Sequence, residues 1–420
     1  MNQRPRPDFV PAAGAGADTV GRNAEKLLGL ANRIVVVSAQ NRVRFPETMM
    51  QKSRPPFRAD HVGSLLRPER IRQARTRFAK GEIAAAELLR LETLEIGKIV
   101  QKQKQSGLKL ATDGEFRRSW WHFDFLKHLA GCELHKTDGI QFNGMTSRGE
   151  SIRVTGKLDF PDSHPMLEHF KLLKDKCDLA GVLPKMTIPS PSLLHYRGGR
   201  GAISQEAYPD IDDFFIDLAK TYRKAVQAFY DAGCRYLQFD DTVWAYLCSE
   251  DQRAKLRGRG EDPDALPAVY ARVINYAIAE RPADMTITTH VCRGNFRSTW
   301  ISSGGYEPVA ETLLSRVNYD GYFLEYDSER AGGFEPLRFL PKGSKTVVLG
   351  LITSKTGALE TKDDIKRRVA EAAKFVALDQ LALSPQCGFA STEEGNILTE
   401  DEQWAKLRLT VDVANEVWGK

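Results

Sequence analysis

At 420 residues, with 42% hydrophobic and 27% charged positions, the chain can bury a large core and has the composition of neither a disordered nor a fibrous protein. Its 60 basic and 55 acidic residues leave a formal charge of only +5, well interspersed, so no nucleic acid or membrane surface is expected as a partner. No run of eighteen apolar residues occurs, and the six cysteines are too dilute for a disulfide framework, which sets the expectation of a reducing, cytoplasmic setting.

Residues 1–50 read apart from the rest. Arg4, Arg6, Arg22, Arg33, Arg42 and Arg44 are mixed there with Asp8, Asp18 and Glu25, and the apolar stretch after Leu27 is interrupted by Asn32 and Arg33, which spoils it as a secretory segment. The expectation is a disordered extension or a biological start at Met49 or Met50, followed by a single domain over 51–420.

From residue 57 onward short apolar runs alternate with longer helical stretches. An extended run at 57–66 leads into Arg67-Pro68, and Pro68-Glu69 opens a helical region to about Gly107. A short run at 108–115 ends in Asp113-Gly114-Glu115. Residues 120–160 are Gly-rich and weakly periodic, and read as an insertion over the active-site face with a strand at 152–158. An apolar run at 181–188 follows, then a helix at 214–232 with apolar residues at helical spacing, ended by Gly233. The strand at 235–239 closes in Asp240-Asp241. A helix at 267–280 precedes the strand 285–289 and His290-Val291-Cys292. Strands at 322–324 and 346–352 run into Glu325 and into Thr353-Ser354-Lys355. A helix at 365–381 precedes a final run that ends near Cys387.

This alternation predicts an α/β protein with a parallel sheet. Reactive side chains stand at six or more strand ends, which favours a (β/α)8 TIM-type barrel over an open sheet with one switch point. Nine strand candidates compete for eight places, so one is not a strand or one lies outside the barrel. No glycine-rich dinucleotide or phosphate-loop motif is present.

The strongest local signal is His290-Val291-Cys292. Residues i and i+2 of a strand point to the same side, so imidazole and thiolate can reach one metal. Glu325 and Cys387 end other strands. If those ends converge, an N/S2/O set suited to Zn2+ results, although spacing alone does not separate Glu325 from Asp327 on the same strand face. Ser354 and Lys355 are candidates for binding an acidic substrate group. Arg117, Arg118, Trp120 and Trp121 suit either a planar anionic donor or an ordinary packed cap, and Arg197 to Arg200 form an anion-loop candidate.

The sequence resembles the catalytic, C-terminal half of cobalamin-independent methionine synthase and its shorter single-domain relatives, over most of 57–420. The match rests on Thr289-His290-Val291-Cys292, on Glu325 at the next strand end, and on Ser384-Pro385-Gln386-Cys387-Gly388. The resemblance implies zinc ligation by His290, Cys292, Glu325 and Cys387 and activation of a bound thiol. It further implies that Asp240 and Glu115 hold the amino group of a homocysteine-like substrate, with Asp241 standing for a family glutamate and Asp113 for a family histidine. Ser64, in His61-Val62-Gly63-Ser64, would receive the substrate carboxylate. The implied reaction is methyl transfer to homocysteine from 5-methyltetrahydrofolate or a corrinoid protein. Two other readings are zinc-dependent alkylation of another thiol, as in an epoxide-opening transferase, and a non-catalytic zinc-stabilised scaffold.

Overall fold

The computed structural model describes residues 36–37, 43–45 and 51–419. The chain divides into two units, Met1–Pro46 and Glu47–Lys420. In the first, Val36–Val37 pairs antiparallel with Val43–Arg44. The rest of the anticipated extension, with Met49 and Met50, lies outside the described residues.

The second unit is built on a ring of parallel strands. β1 (Leu110–Ala111) pairs with β2 (Leu183–Pro184), which continues through Lys185 into β3 (Met186–Pro189). β3 pairs with β4 (Tyr236–Asp241), and the ring goes on through β5 (Thr286–Val291), β6 (Gly321–Glu325), β7 (Thr346–Ile352) and β8 (Leu381–Pro385), all parallel and in chain order. The segment around Ala59 supplies the remaining stave. Leu383 N donates to Arg58 O at 2.9 Å and Asp60 N donates to Leu383 O at 3.0 Å, which ties the start of the domain to its last strand. On the other side, Thr112 Oγ1 donates to Gly63 O at 2.6 Å. Eight staves close a (β/α)8 barrel. β7 shows why its sequence had to be apolar beyond its first residue: every residue of Thr-Val-Val-Leu-Gly-Leu-Ile is buried, because a barrel covers both faces of its strands.

The ninth strand candidate is Glu150–Asp159. It pairs antiparallel with Ala130–Lys136 and takes no place in the parallel ring.

The helices anticipated from the sequence are found with two departures. The stretch after Pro68 is two helices, α1 (Glu69–Ala79) and α2 (Ala85–Gln105), because Gly81 turns left-handed at φ +73° between them. The helix anticipated at 365–381 is α6 (Lys362–Ala372), whose N-cap Thr361 accepts from Asp364 N; Leu381 is instead drawn into β8 by pairing with Val347. The other outer helices include α3 (Pro165–Ala180), α4 (Ile211–Asp231), α5 (Leu266–Ile278) and the C-terminal α7 (Glu400–Trp418). On α4 the buried Phe214, Leu218, Tyr222, Val226 and Phe229 form the inward stripe, each contributing about 1.5–3 kcal/mol on burial. No helix among the described residues is long and apolar enough to cross a membrane.

Inside the barrel, Val62, Phe323, Val348 and Ala382 form an apolar cluster. Beside it lies a fully buried ion pair. Lys185 Nζ is 3.0 Å from Asp60 Oδ1 and also donates to His61 O at 2.6 Å, while Tyr236 Oη donates to Asp60 Oδ2 at 2.8 Å. The ammonium rests 4.1 Å from the centre of the Phe323 ring.

Candidate metal centre and its pocket

Parallel strands in a barrel all deliver their C-terminal ends to one mouth. His290 sits near the end of β5 and Cys292 just beyond it, Glu325 is the last residue of β6, and Cys387 follows β8 by two residues. The ligating atoms of these four side chains lie within 4.8 Å of one another, and all four residues are buried. Cys292 Sγ and Cys387 Sγ are 3.6 Å apart. Four ligands at zinc–sulfur and zinc–nitrogen bond lengths form a tetrahedron with edges of about 3.3–3.8 Å, so the thiol pair already has the required spacing. Glu325 Oε1 accepts from Arg293 N at 3.1 Å, whereas Oε2 is buried without a partner. An orphaned carboxylate oxygen beside two thiols and an imidazole is a donor set that suits zinc.

Burial works against the Cys387 thiolate, but hydrogen bonds from Cys292 and His290 and the charge on His290 outweigh it and hold the thiol below its ordinary range. Its partner thiol is pushed the opposite way: the hydrogen bond to Cys387 and then burial raise Cys292 well above the ordinary thiol range. Asp240 Oδ1 lies 3.6 Å from His290 Nδ1, and Gln386 O lies 3.3 Å from Nε2, so a carboxylate and a carbonyl flank the imidazole, and one of them can orient the ring while the other nitrogen ligates.

A pocket open to solvent adjoins this cluster. Ser64, Glu115 and Asp240 line it, together with the candidate ligands His290, Cys292 and Cys387. Gly388 is needed beside Ser64: a Cβ there would stand 2.0 Å from Ser64 Oγ. Glu115 adopts φ +60°, a strained conformation for a non-glycine residue, and its carboxylate is set in the cavity wall. Oε1 accepts from Thr187 Oγ1 at 2.8 Å and is 3.4 Å from Arg118 Nη1; Oε2 is buried and unpartnered. Burial, reinforced by the nearby Asp240, lifts Glu115 to about 7 against the pull of Arg118 and Arg67.

Other sequence candidates sit elsewhere. Asp241 does not line the cavity; its carboxylate accepts from Ser192 Oγ and from Val243 N, each at 2.7 Å. Lys355 reaches the pocket only through Asn295, donating to its Oδ1 at 3.2 Å. His61 is a core residue paired with Gln103 Oε1 at 2.9 Å, and Asp113 Oδ1 accepts from Glu115 N at 2.9 Å. Arg118 braces the wall through Thr187 O at 2.7 Å, and Arg117 donates to Thr93 Oγ1 at 2.9 Å. Asp327 pairs with Arg330 at 3.1 Å and stays out of the metal cluster. Trp120 and Trp121 do line the cavity, as does Arg197. His122, Phe142, Thr242, Tyr246 and Asn295 were not anticipated. Among them His122 had the clearest signal, since it follows the two tryptophans directly.

Residues 57–416 match the family described as cobalamin-independent synthase, catalytic domain. The chain belongs to that family. Among relatives of the synthase family, the uncharacterized protein YxjH of Bacillus subtilis (strain 168) is 54% identical over 384 residues, covering 91% of this chain and 100% of that protein. The crystal structure of a putative vitamin-B12-independent methionine synthase from Listeria monocytogenes is 48% identical, with a TM-score of 0.72, and covers 88% of this chain and 100% of that one. A more distant B12-independent methionine synthase from Shewanella sp. W3-18-1, solved with selenomethionine, shares the fold at 18% identity, with a TM-score of 0.62 over 85% of this chain and 96% of that one.

Proposed function

We propose that this chain is a zinc-dependent methyltransferase that methylates the sulfur of homocysteine to give methionine. One observation carries the reading: four ligand atoms of N/S2/O type converge within 4.8 Å at the barrel mouth of a synthase-family chain. Zinc held by His290, Cys292, Glu325 and Cys387 would keep the substrate sulfur as a thiolate at neutral pH.

The chain's own residues supply recognition and orientation. Glu115 and Asp240 present carboxylates to the same cavity, and the buried, unpartnered Glu115 Oε2 is the acceptor that an α-ammonium group would satisfy. Ser64 and the adjoining main chain receive the α-carboxylate. Amino-acid recognition of this kind favours homocysteine over thiols without an ammonium group. Asp241 acts behind the site, fixing the turn after β4 through Ser192 and Val243. Transfer forms the sulfur–methyl bond as the methyl's bond to the donor breaks. With 5-methyltetrahydrofolate as donor, the departing nitrogen keeps the electron pair and takes up a proton.

The test is zinc-edge X-ray absorption on the metal-loaded protein with and without homocysteine, paired with a methionine-formation assay using 5-methyltetrahydrofolate. The expected result is a gain of one sulfur ligand and loss of one light-atom ligand, with methionine produced. An unchanged edge with homocysteine overturns the assignment.

A further inference from the structure

Arg293 stands between two residues of the pocket wall, Cys292 and Gly294, yet does not line the pocket, and its side chain is buried in the protein. The main chain fixes where it starts. Ile301 N and Ser302 N donate to the Arg293 carbonyl at 2.9 and 3.1 Å, and Arg293 N donates to Glu325 Oε1 at 3.1 Å. Its Cζ lies 4.5 Å from the centre of the Tyr306 ring, and Tyr306 Oη donates to the Glu325 carbonyl at 3.2 Å. Among the described residues no carboxylate pairs with this guanidinium, and Nε, Nη1 and Nη2 all meet no acceptor at hydrogen-bonding geometry.

A buried guanidinium with idle donors is costly, and other arginines as deeply buried avoid that cost. Arg67 donates to the carbonyls of Glu115 and Arg118, and Arg118 donates to that of Thr187. Burial works against the charge on Arg293, and Tyr306, Glu325 and Cys248 around it offset that. The complementary orphan is Glu325 Oε2, also buried and also unpartnered. Glu325 is the only carboxylate in the candidate ligand set, beside two thiols and an imidazole. When a thiolate replaces a carboxylate on the metal, the charge of the ligand set is unchanged and one buried anion is left over. Such an anion is held only by a cation close at hand. Arg293 supplies one, from an atom already bonded to the same carboxylate, so a change of side-chain rotamer suffices to join the two.

We propose that Arg293 is a positioning residue that receives the Glu325 carboxylate when the substrate sulfur takes that carboxylate's place on the metal. This rests on the zinc-dependent transferase reading above. The thiol gives its proton to solvent through the open pocket, the sulfur occupies the vacated position, and the carboxylate pairs with the guanidinium through two parallel hydrogen bonds. Arg293 thus acts on the substrate through Glu325 and touches neither the substrate nor its methyl donor.

Arg293→Met, which keeps the bulk and removes the charge, tests this in the zinc-loaded full chain. Zinc affinity, read by competition with a chromogenic chelator, should stay within about twofold, because the guanidinium is idle before substrate arrives. Homocysteine binding, read by isothermal titration, should weaken by about tenfold or more, and the zinc edge at saturating homocysteine should keep its light-atom ligand. Arg293→Lys should restore part of the affinity and the loss of that ligand. Circular dichroism checks folding; if Arg293→Met does not fold, Arg293→Lys against Arg293→Gln makes the same comparison of charge with no charge. Ligand exchange and homocysteine affinity that are the same with and without the charge overturn the proposal, as does a loss of zinc itself on removing it. The unaltered chain reports separately on the transferase reading: no exchange there sinks that reading, whereas exchange there and in Arg293→Met alike sinks only the role of Arg293.

Discussion

Cys292 and Cys387 bring their sulfur atoms to 3.6 Å although 95 residues separate them. The spacing is set by strands β5 and β8, which reach the same mouth from different parts of the ring. A site assembled this way depends on the barrel.

Chelation should remove zinc and activity while far-ultraviolet circular dichroism keeps its folded form. Cys387→Ser should lower zinc affinity by at least about 100-fold, measured by competition with a chromogenic chelator. Unfolding on chelation would return the molecule to the zinc-scaffold reading.

Glu115 gives the reaction a pH signature. Its carboxyl, lifted to about 7, is neutral below that pH and anionic above it. On the proposed binding of the substrate ammonium by this anion, the KM for homocysteine should rise about tenfold as pH drops from 8 to 6. Glu115→Gln should start with a high KM and lose that dependence in steady-state assays.

The buried pair of Lys185 and Asp60 should be costly to break. Lys185→Met leaves Asp60 without its cation and should lower stability by about 3–5 kcal/mol in urea unfolding. Lys185→Met combined with Asp60→Asn should recover part of that loss, because no lone charge remains.

Acid sensitivity follows from the histidines. Burial holds His61 at about 3 and His164 and His195 at about 4, whereas the unfolded chain protonates them near 6.5. Between those values the unfolded state binds more protons, so stability is complete above 6.5 and declines as pH falls toward 4. Each histidine contributes up to about 1.4 kcal/mol per pH unit in that window. Thermal unfolding at pH 7, 5.5 and 4.5 should show a falling Tm. His195→Gln, at the site that bonds Tyr270 Oη at 2.8 Å, should make the decline shallower.

Much of this molecule was legible in its sequence for a physical reason: strand ends in a parallel barrel are local features, and their convergence follows from the topology. His290, Cys292, Glu325 and Cys387 could each be placed at such an end before any contact was visible. Asp241 could not be told from Asp240, because adjacent strand residues differ only in the side they face, and that depends on Ser192 coming from another stave. Lys355 does not line the cavity, because Asn295 stands between them and accepts its ammonium. The end of α6 was misplaced because the apolar run after Ala372 serves equally well as helix or strand until Val347 claims Leu381. Phe142 and Tyr246 carried no signal, since a lone aromatic residue reads as core.

The bond between Leu383 and the segment at Arg58 has a consequence for biosynthesis. A ribosome delivers the first stave more than three hundred residues before the one that locks it in place. Throughout that interval the lone segment has no neighbour on that side, and Cys387 has not yet been made. The metal centre is thus among the last features to become possible, and zinc can be captured in its final form only by a chain whose ring has already shut.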